Sequence, residues 1–389
     1  MEKRTVEKCG VCNHSDLALL WDLPKLPLTE KYGCYDPLKI LYFDQRLLIC
    51  NDCGHVQLGV QLSPELLYTA SEYSFRTSLS KSACLGSEFF LNFFSSIKGS
   101  QTFNSLLDVG GNDLYLAKKV DIEKRCVVDP VCSLQDGQII DGVKILGQFI
   151  EKVDFGKEEL LPDLIFCRHV LEHVANPREM LTALLEKGAP HALYVFEIPC
   201  LENLIEANRF DAIFHQHYHY FDLSSFQRLI AEIGGEYVSH EYNRQGSCGG
   251  AMLIAFRKGK TTVTPSVDVA EKKASIEKAI QNYTKQMDLL SIQLKKFENN
   301  IYGYGASLML ATLGYHLKTD FSELICILDD DEQKDQISYQ NVPVTVRCVK
   351  KCSIPKNSNF LVTSLENTRS IFGKISEMAP RRVLIPLVN

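Results

Sequence analysis

The chain of 389 residues lacks any apolar run long enough to cross a bilayer. Its opening, MEKRTVEKCG, lacks the apolar stretch of a secretory leader. Both absences lead to the expectation of a cytoplasmic protein with no membrane partner. No block of lysine and arginine stands out and the net charge is -6, so no nucleic-acid partner is expected either. Tandem repeats and low-complexity segments are also missing, which argues against a solenoid or a long disordered tail. What remains is ordinary for a soluble globular protein, with 45% hydrophobic and 23% charged residues. The length suits two or three domains, in a monomer or a small homo-oligomer. Fourteen cysteines are many; in a chain without a leader they read as reduced thiols and metal ligands, not as a disulfide framework.

Four blocks follow one another. Residues 1–65 are short-segmented, rich in Cys and Pro, and too irregular to build a large core alone. Residues 66–260 alternate apolar strands with helical patterns: SLLDVGG, RCVVDP, DLIFCRH and ALYVFEIP read as buried parallel strands. That alternation implies an α/β doubly wound sheet. Residues 261–299 hold a charged helical stretch in which Ile276, Ala279, Ile280, Tyr283, Met287, Leu290 and Leu294 recur at helical spacing; a solvated helix connecting two domains is expected. Residues 300–389 open with NIYGYGASLMLATLGYHL and continue with LICILDDD, VPVTV and FLVTS, a second strand–glycine turn–helix unit with strands of its own.

Cys9-x-x-Cys12 pairs with Cys50-x-x-Cys53. Two such knuckles set four thiolates tetrahedrally around zinc, and metal binding stabilises a segment with little core. Four thiols close the site, so this zinc is structural. LLDVGGNDLYLAKKV places Asp108 at a strand end, glycines Gly110 and Gly111 in a tight turn, and Asn112 and Asp113 before a helix. The third glycine of a dinucleotide fingerprint is absent, and no lysine follows to make a P-loop. Asp129, about twenty residues on, ends the next strand, where an acid suits a ribose diol. S-adenosylmethionine fits this pattern better than NAD. In DLIFCRHVLEHVANP the chain is expected to enter a helix near His169 to His173, and Pro177 to open the next one. FHQHYHYFD, from Phe214 to Asp222, concentrates three of the ten histidines. On a strand His215, His217 and His219 would share one face and suit a metal; a catalytic base with neighbours and a polar strand face are the other readings.

The sequence resembles the three-domain bacterial sugar C-methyltransferases, which act on nucleotide-linked deoxy-keto sugars. The resemblance rests on the two knuckles with LPLTEKYG between them, and on EYSFRTSLS, LLDVGGNDLYL, VLEHVANP, FEIPCLENLI, FDAIFHQHYHYFDLSSFQRL and GYGASLMLATL. It implies a small zinc-binding domain, a class I (Rossmann-like) methyltransferase domain and a C-terminal Rossmann-like domain that binds substrate. It implies that Asp108, Gly110, Gly111, Asn112, Asp129 and His169 hold S-adenosylmethionine. His217 falls on the family's base, with Gln216, His173 and Tyr73 as further catalytic candidates. Phe75, Glu197, Phe214, Tyr220, Arg244, Tyr302 and Tyr304 are expected near a nucleotide-sugar substrate.

Several positions depart from the family. Tyr-His-Glu-His becomes Phe214-His215-Gln216-His217. His-Gly-Gly-Ser, followed by Arg, becomes Cys248-Gly249-Gly250-Ala251 and Leu253, and a lysine after the second glycine turn becomes Met309. Charge neutralisation at that turn would fall to backbone amides or to Arg244. C-methylation beside a ketone needs a base for the α-proton and a donor for the enolate oxygen. Histidine suits the base, and the Gln216 amide can donate where an ionised glutamate cannot. Tyr218 or Tyr220 could supply the hydroxyl missing at Phe214. The expected activity is therefore C-methylation through an enolate. O- or N-methylation of a related small metabolite, and a non-catalytic binding protein, are the alternatives.

Overall fold

The computed structural model describes residues 3–29, 33–67, 77–245, 247–261, 266–298 and 300–387. The chain divides into two compact units: Met1–Leu19, Leu48–Asn203 and Gln216–Lys273 form one, and Leu20–Leu47, Leu204–His215 and Ala274–Asn389 form the other.

The first unit is built on an eight-stranded sheet. In spatial order its strands are Gly235–Asn243, Ala251–Lys258, Leu193–Pro199, Leu164–Arg168, Ser105–Val109, Lys124–Val128, Val143–Leu146 and Ile139–Ile140. The four strands expected from the apolar runs lie in its centre and pair in parallel. Antiparallel pairs close both edges. Every residue of Ser105–Val109 and of Leu193–Pro199 is buried, because the sheet is covered on both faces and a strand there has no solvent side. On one face the helix Lys81–Lys98 packs Phe90, Phe93 and Phe94 onto Leu106 and Phe166. On the other, Met180, Leu181 and Leu184 of the helix Pro177–Lys187, with Phe226 and Leu229 of the helix Leu223–Glu232, meet Leu107, Ile165 and Phe196. Each side chain so buried contributes about 1.5–3 kcal/mol. Both helices start on a capping side chain: Asn176 accepts from the Glu179 amide ahead of Pro177, and Asp222 forms a capping box with Ser225.

Cys9, Val11, Cys12, Cys50 and Cys53 belong to the same buried cluster as Met180 and Phe226. The knuckles thus share the core of the sheet rather than building one, as their short irregular segments demand. Strand order reverses between Ser105–Val109 and Leu164–Arg168, and in open α/β sheets ligands bind outside the carboxyl ends of strands at such a point.

The second unit carries a five-stranded sheet, all parallel, ordered Val346–Cys348, Ile327–Asp329, Ile301–Tyr304, Asn359–Val362 and Arg382–Leu384. A glycine turn at Gly305 (φ +101°) leads from its first strand toward the helix Leu310–Leu317, as expected. The long helix runs Val269–Leu294, and Ile276, Ile280, Tyr283, Met287 and Leu294 of its stripe are buried. Tyr283 packs edge-on to Trp21 and His316 and against Phe210, all within this unit. The stripe is therefore core, and the helix is not a solvated connector. Among the described residues no helix is long and apolar enough to cross a membrane.

Candidate functional site

The two knuckles fold alike. In the first, the Asn13 amide donates to Cys9 O (3.0 Å); in the second, the Gly54 amide donates to Cys50 O (2.9 Å). Asn13 and Gly54 both take positive φ, 65° and 70°, which Asn and Gly tolerate best. The turns bring all four sulfurs together in the core, with Cys9 Sγ 3.6 Å from Cys53 Sγ and Cys12 Sγ 3.4 Å from Cys50 Sγ. A tetrahedral zinc with bonds of about 2.3 Å sets its sulfurs about 3.8 Å apart, whereas a disulfide bond is about 2.05 Å. The cluster fits zinc, with all four positions filled by thiols. Gln57 locks the first knuckle by accepting from the Gly10 amide (2.8 Å) and donating to Lys8 O (3.0 Å).

At the switch point, Gly110 adopts φ +73°, and a Cβ there would stand 2.2 Å from Val170 Cγ2. A Cβ on Gly111 would stand 2.8 Å from Val127 and 3.0 Å from Asp108 Oδ2. Both glycines are required by close approach. Asp129 holds the turn by accepting from the Asn112 amide (2.9 Å) and the Val131 amide (2.9 Å). Burial raises its pKa and these two hydrogen bonds oppose the rise; its remaining lone pairs are free to accept hydroxyls. Asp108 is 2% exposed, and its Oδ2 has no hydrogen-bond partner among the described residues. Burial pushes its pKa up to about 7, with Arg168 pulling down and Asp129 pushing up. An orphaned carboxyl oxygen beside a glycine turn, with a second acid at the next strand end, fits the cationic and diol ends of S-adenosylmethionine.

The histidines are distributed otherwise than a strand would place them. His215 and Gln216 form a turn, and only His219–Tyr220 is strand, paired with Val56–Leu58. His215 is spent structurally in the second unit, with Nε2 3.0 Å from Leu26 O and Nδ1 3.3 Å from Gln45 Nε2. His219 packs in the first unit against His55, ring nitrogens 3.0 Å apart. His217 faces Glu172 and His173 of the VLEH segment. That segment is not the helix expected: His169 takes φ +53° and Leu171–His173 is a single 3-10 turn. The turn is tied to the His217 segment twice, through His173 Nδ1 to Gln216 O (2.8 Å) and through the Tyr218 amide to Glu172 O (2.7 Å). The rings of His173 and His217 are edge-on, centroids 4.8 Å apart. Donor atoms of Glu172, His173 and His217 lie within 4.8 Å of one another.

Electrostatics sort these groups. Burial, then His173, pushes the His217 pKa down to about 3, opposed by Glu172. Burial would push Glu172 up, but His169, His173 and His217 outweigh it and bring the carboxyl down to about 2. The Glu172 carboxylate is ionised at neutral pH and His217 is neutral, so His217 has the protonation state of a base. His169 stands at both acids, Nδ1 3.4 Å from Glu172 and Nε2 3.8 Å from Glu197.

Of the other candidates, Tyr73 and Phe75 lie outside the described residues. Glu197 is buried and bound by the Arg168 guanidinium. Tyr220 is buried with its ring 6.3 Å from His217. The Tyr218 hydroxyl is not available as a substitute for the one missing at Phe214, because it donates to Leu62 O (2.6 Å). Phe214 is buried in the second unit, and Arg244 is exposed in the turn after Gly235–Asn243. Tyr302 and Tyr304 are buried in a strand, and the turn that follows has two amides engaged: Gly305 N with Leu328 O and Ala306 N with Asp329 Oδ2, each 2.8 Å. Sequence reasoning passed over Glu172. It also passed over Asn13 and Gly54, although a turn-forming residue directly after each second cysteine was a signal.

Residues 87–240 match the family described as "Methyltransferase domain", and residues 9–68 the family described as "Putative zinc binding domain". The C-methyltransferase NovU of Streptomyces niveus is 25% identical over 238 residues; the match covers 59% of this chain and 56% of that protein, so the chain spans little more than half of the relative's length. The N-methyltransferase NodS of Bradyrhizobium japonicum, solved with S-adenosyl-L-homocysteine, aligns at 15% identity with a TM-score of 0.36, over 47% of this chain and 91% of that one. The plantazolicin methyltransferase BpumL aligns at 13% identity with a TM-score of 0.35, over 46% and 84%. With a methyltransferase domain, a zinc-binding domain ahead of it and a C-methyltransferase relative, this chain fits the family of three-domain sugar C-methyltransferases that its motifs resemble.

Proposed function

We propose that this protein is an S-adenosylmethionine-dependent methyltransferase that forms a carbon–carbon bond beside the ketone of a nucleotide-linked deoxy-keto sugar. One observation carries the reading: the glycine turn and the histidine cluster are neighbours. Gly110 packs on Val170, and Glu172 and His173 lie two and three residues further on, past the ends of adjacent parallel strands. Asp108, Gly110, Gly111, Asn112, Asp129 and His169 would hold S-adenosylmethionine, which supplies an electrophilic methyl group when bound. His217, neutral and buried, takes the α-proton of the substrate. The C–H electron pair passes to the ketone as an enolate, whose oxygen the Gln216 amide is suited to receive. Burial around His217 excludes water from a step that water would compete with. Glu197, Phe214, Tyr220, Arg244, Tyr73 and Phe75 remain the candidates for sugar and nucleotide contacts, and the C-terminal parallel sheet for the nucleotide.

The test is methyl transfer from labelled S-adenosylmethionine to a panel of nucleotide-linked deoxy-keto sugars. Label on the carbon next to the carbonyl is the expected product. Label on oxygen or nitrogen assigns the alternative chemistry, and cofactor binding without transfer to any sugar assigns a non-catalytic protein.

A further inference from the structure

The reading above leaves His217 with a physical difficulty. Its resting state is neutral in a dry site, held so by burial and by His173. A proton arriving there creates an imidazolium that needs an anion close by. The family has a glutamate next to the base, but here that position is Gln216, which carries no charge. Of the groups acting electrostatically on His217, namely His173, Glu172 and His169, Glu172 is the anion.

We propose that Glu172 is the counter-charge of the base: a positioning residue that stabilises the protonated His173–His217 pair from the neighbouring 3-10 turn, in place of the glutamate lost at position 216. The proposal rests on the reading of His217 as the base. Glu172 is 1% exposed, and among the described residues neither carboxylate oxygen has a hydrogen-bond donor at bonding geometry. Such a buried charge is costly and persists only where opposite charge can appear beside it. Three imidazoles surround it. His169 Nδ1 is 3.4 Å and His173 Nε2 3.9 Å from Oε1, and His217 completes the cluster within 4.8 Å. The Gln216 carbonyl can only accept, so His173 carries its resting proton on Nδ1 and turns Nε2 toward Glu172. The backbone carbonyl of Glu172 meanwhile holds the Tyr218 amide, which fixes the base segment against the turn. When the substrate C–H bond breaks, an N–H bond forms on His217 and the electron pair stays on the substrate. The new positive charge then faces a carboxylate already in place.

The same three side chains could hold a divalent ion. Metal analysis of the wild type and Glu172→Gln separates that occupant from charge compensation.

The test uses the full chain labelled at histidine, with imidazole titrations by NMR for wild type, Glu172→Gln and Glu172→Asp. The second readout is the pH profile of deuterium wash-in to a thymidine-diphosphate-linked deoxy-keto sugar. The titratable groups around the base are His173, Glu172 and His169, with Tyr220 on its own segment and Arg168 and Glu197 behind His169. Glu172→Gln is expected to lower the titration of both His169 and His217. It should also slow wash-in by about tenfold or more and move the acid limb to lower pH. Adding Gln216→Glu to Glu172→Gln is expected to raise the His217 titration again and, because the amide donor to the enolate is lost with it, to recover wash-in only in part; a merely structural role would allow neither. If Glu172→Gln does not fold, Glu172→Asp carries the test, with the same shifts at smaller size. Unchanged titrations, wild-type wash-in in Glu172→Gln, or a second divalent ion per chain that Glu172→Gln releases would each overturn the proposal. Shifted titrations in a protein whose wild type washes deuterium into no sugar would sink the enolate reading and leave the counter-charge standing.

Discussion

Asp108 gives a direct reading of what burial does to a single carboxyl. Its pKa stands at about 7 in the folded chain, against about 3.9 unfolded. The folded state keeps its proton where the unfolded chain has lost it. This group therefore favours folding fully below about pH 4, and that contribution is lost as pH rises from about 4 to 7. Asp108→Asn removes the dependence. Its melting temperature is expected to exceed that of the wild type at pH 8 and to match it more closely at pH 4. A positively charged cofactor beside the orphaned oxygen ionises the acid, so binding near pH 6 should release a proton, measured by calorimetry in two buffers of different ionisation enthalpy. Asp108→Asn should bind S-adenosylmethionine weakly and release no proton. Equal melting curves for both proteins at every pH would contradict the assignment.

Among the elements, the turn Gly110–Asn112 is the most sharply constrained. Gly110→Ala meets both a positive φ and a Val170 methyl group at 2.2 Å. The strain and overlap together are expected to cost about 2–4 kcal/mol and to displace Val170, two residues before Glu172. Cofactor-induced stabilisation should fall along with the melting temperature. Pairing Gly110→Ala with Val170→Ala should recover part of both, since the overlapping methyl is removed. Part of this architecture is legible in the sequence. The four central strands were readable because a strand buried on both faces is a near-continuous apolar run, as LYVFEIP is apart from Glu197. The knuckles were readable because four thiols at that spacing have few other uses. The histidine alternation misled, because a period of two is also what a tight turn at His215–Gln216 leaves behind. Glu172 was invisible because its proximity to His217 exists only when the sheet brings the turn at residue 172 to a segment about 45 residues later. The stripe on Val269–Leu294 showed its period but not its partners, Trp21 and Phe210, which arrive from distant parts of the chain.

For the molecule as a whole, zinc is an integral part of the methyltransferase core. The four cysteines share one buried cluster with the sheet, and Val56–Leu58, three residues past Cys53, pairs with His219–Tyr220, two residues past His217. Structural zinc contributes roughly 10–16 kcal/mol to the folding of small domains. Chelation is thus expected to lower the melting temperature of the whole first unit, not of its first sixty residues alone. It should also broaden the His217 imidazole resonance. Metal analysis should give one zinc per chain, lost in Cys9→Ser and Cys50→Ser and retained in His217→Asn. A chelated chain that keeps its melting temperature and its His217 signal would refute this coupling.

The central claim is that His217 removes a proton from carbon. It is tested most directly by deuterium wash-in: the protein is incubated in heavy water with a nucleotide-linked deoxy-keto sugar and no methyl donor, and exchange at the carbon beside the ketone is followed by NMR. The wild type is expected to incorporate deuterium at that carbon. His217→Asn, with zinc and cofactor-induced stabilisation intact, is expected not to. Exchange at the wild-type rate in His217→Asn would contradict the account.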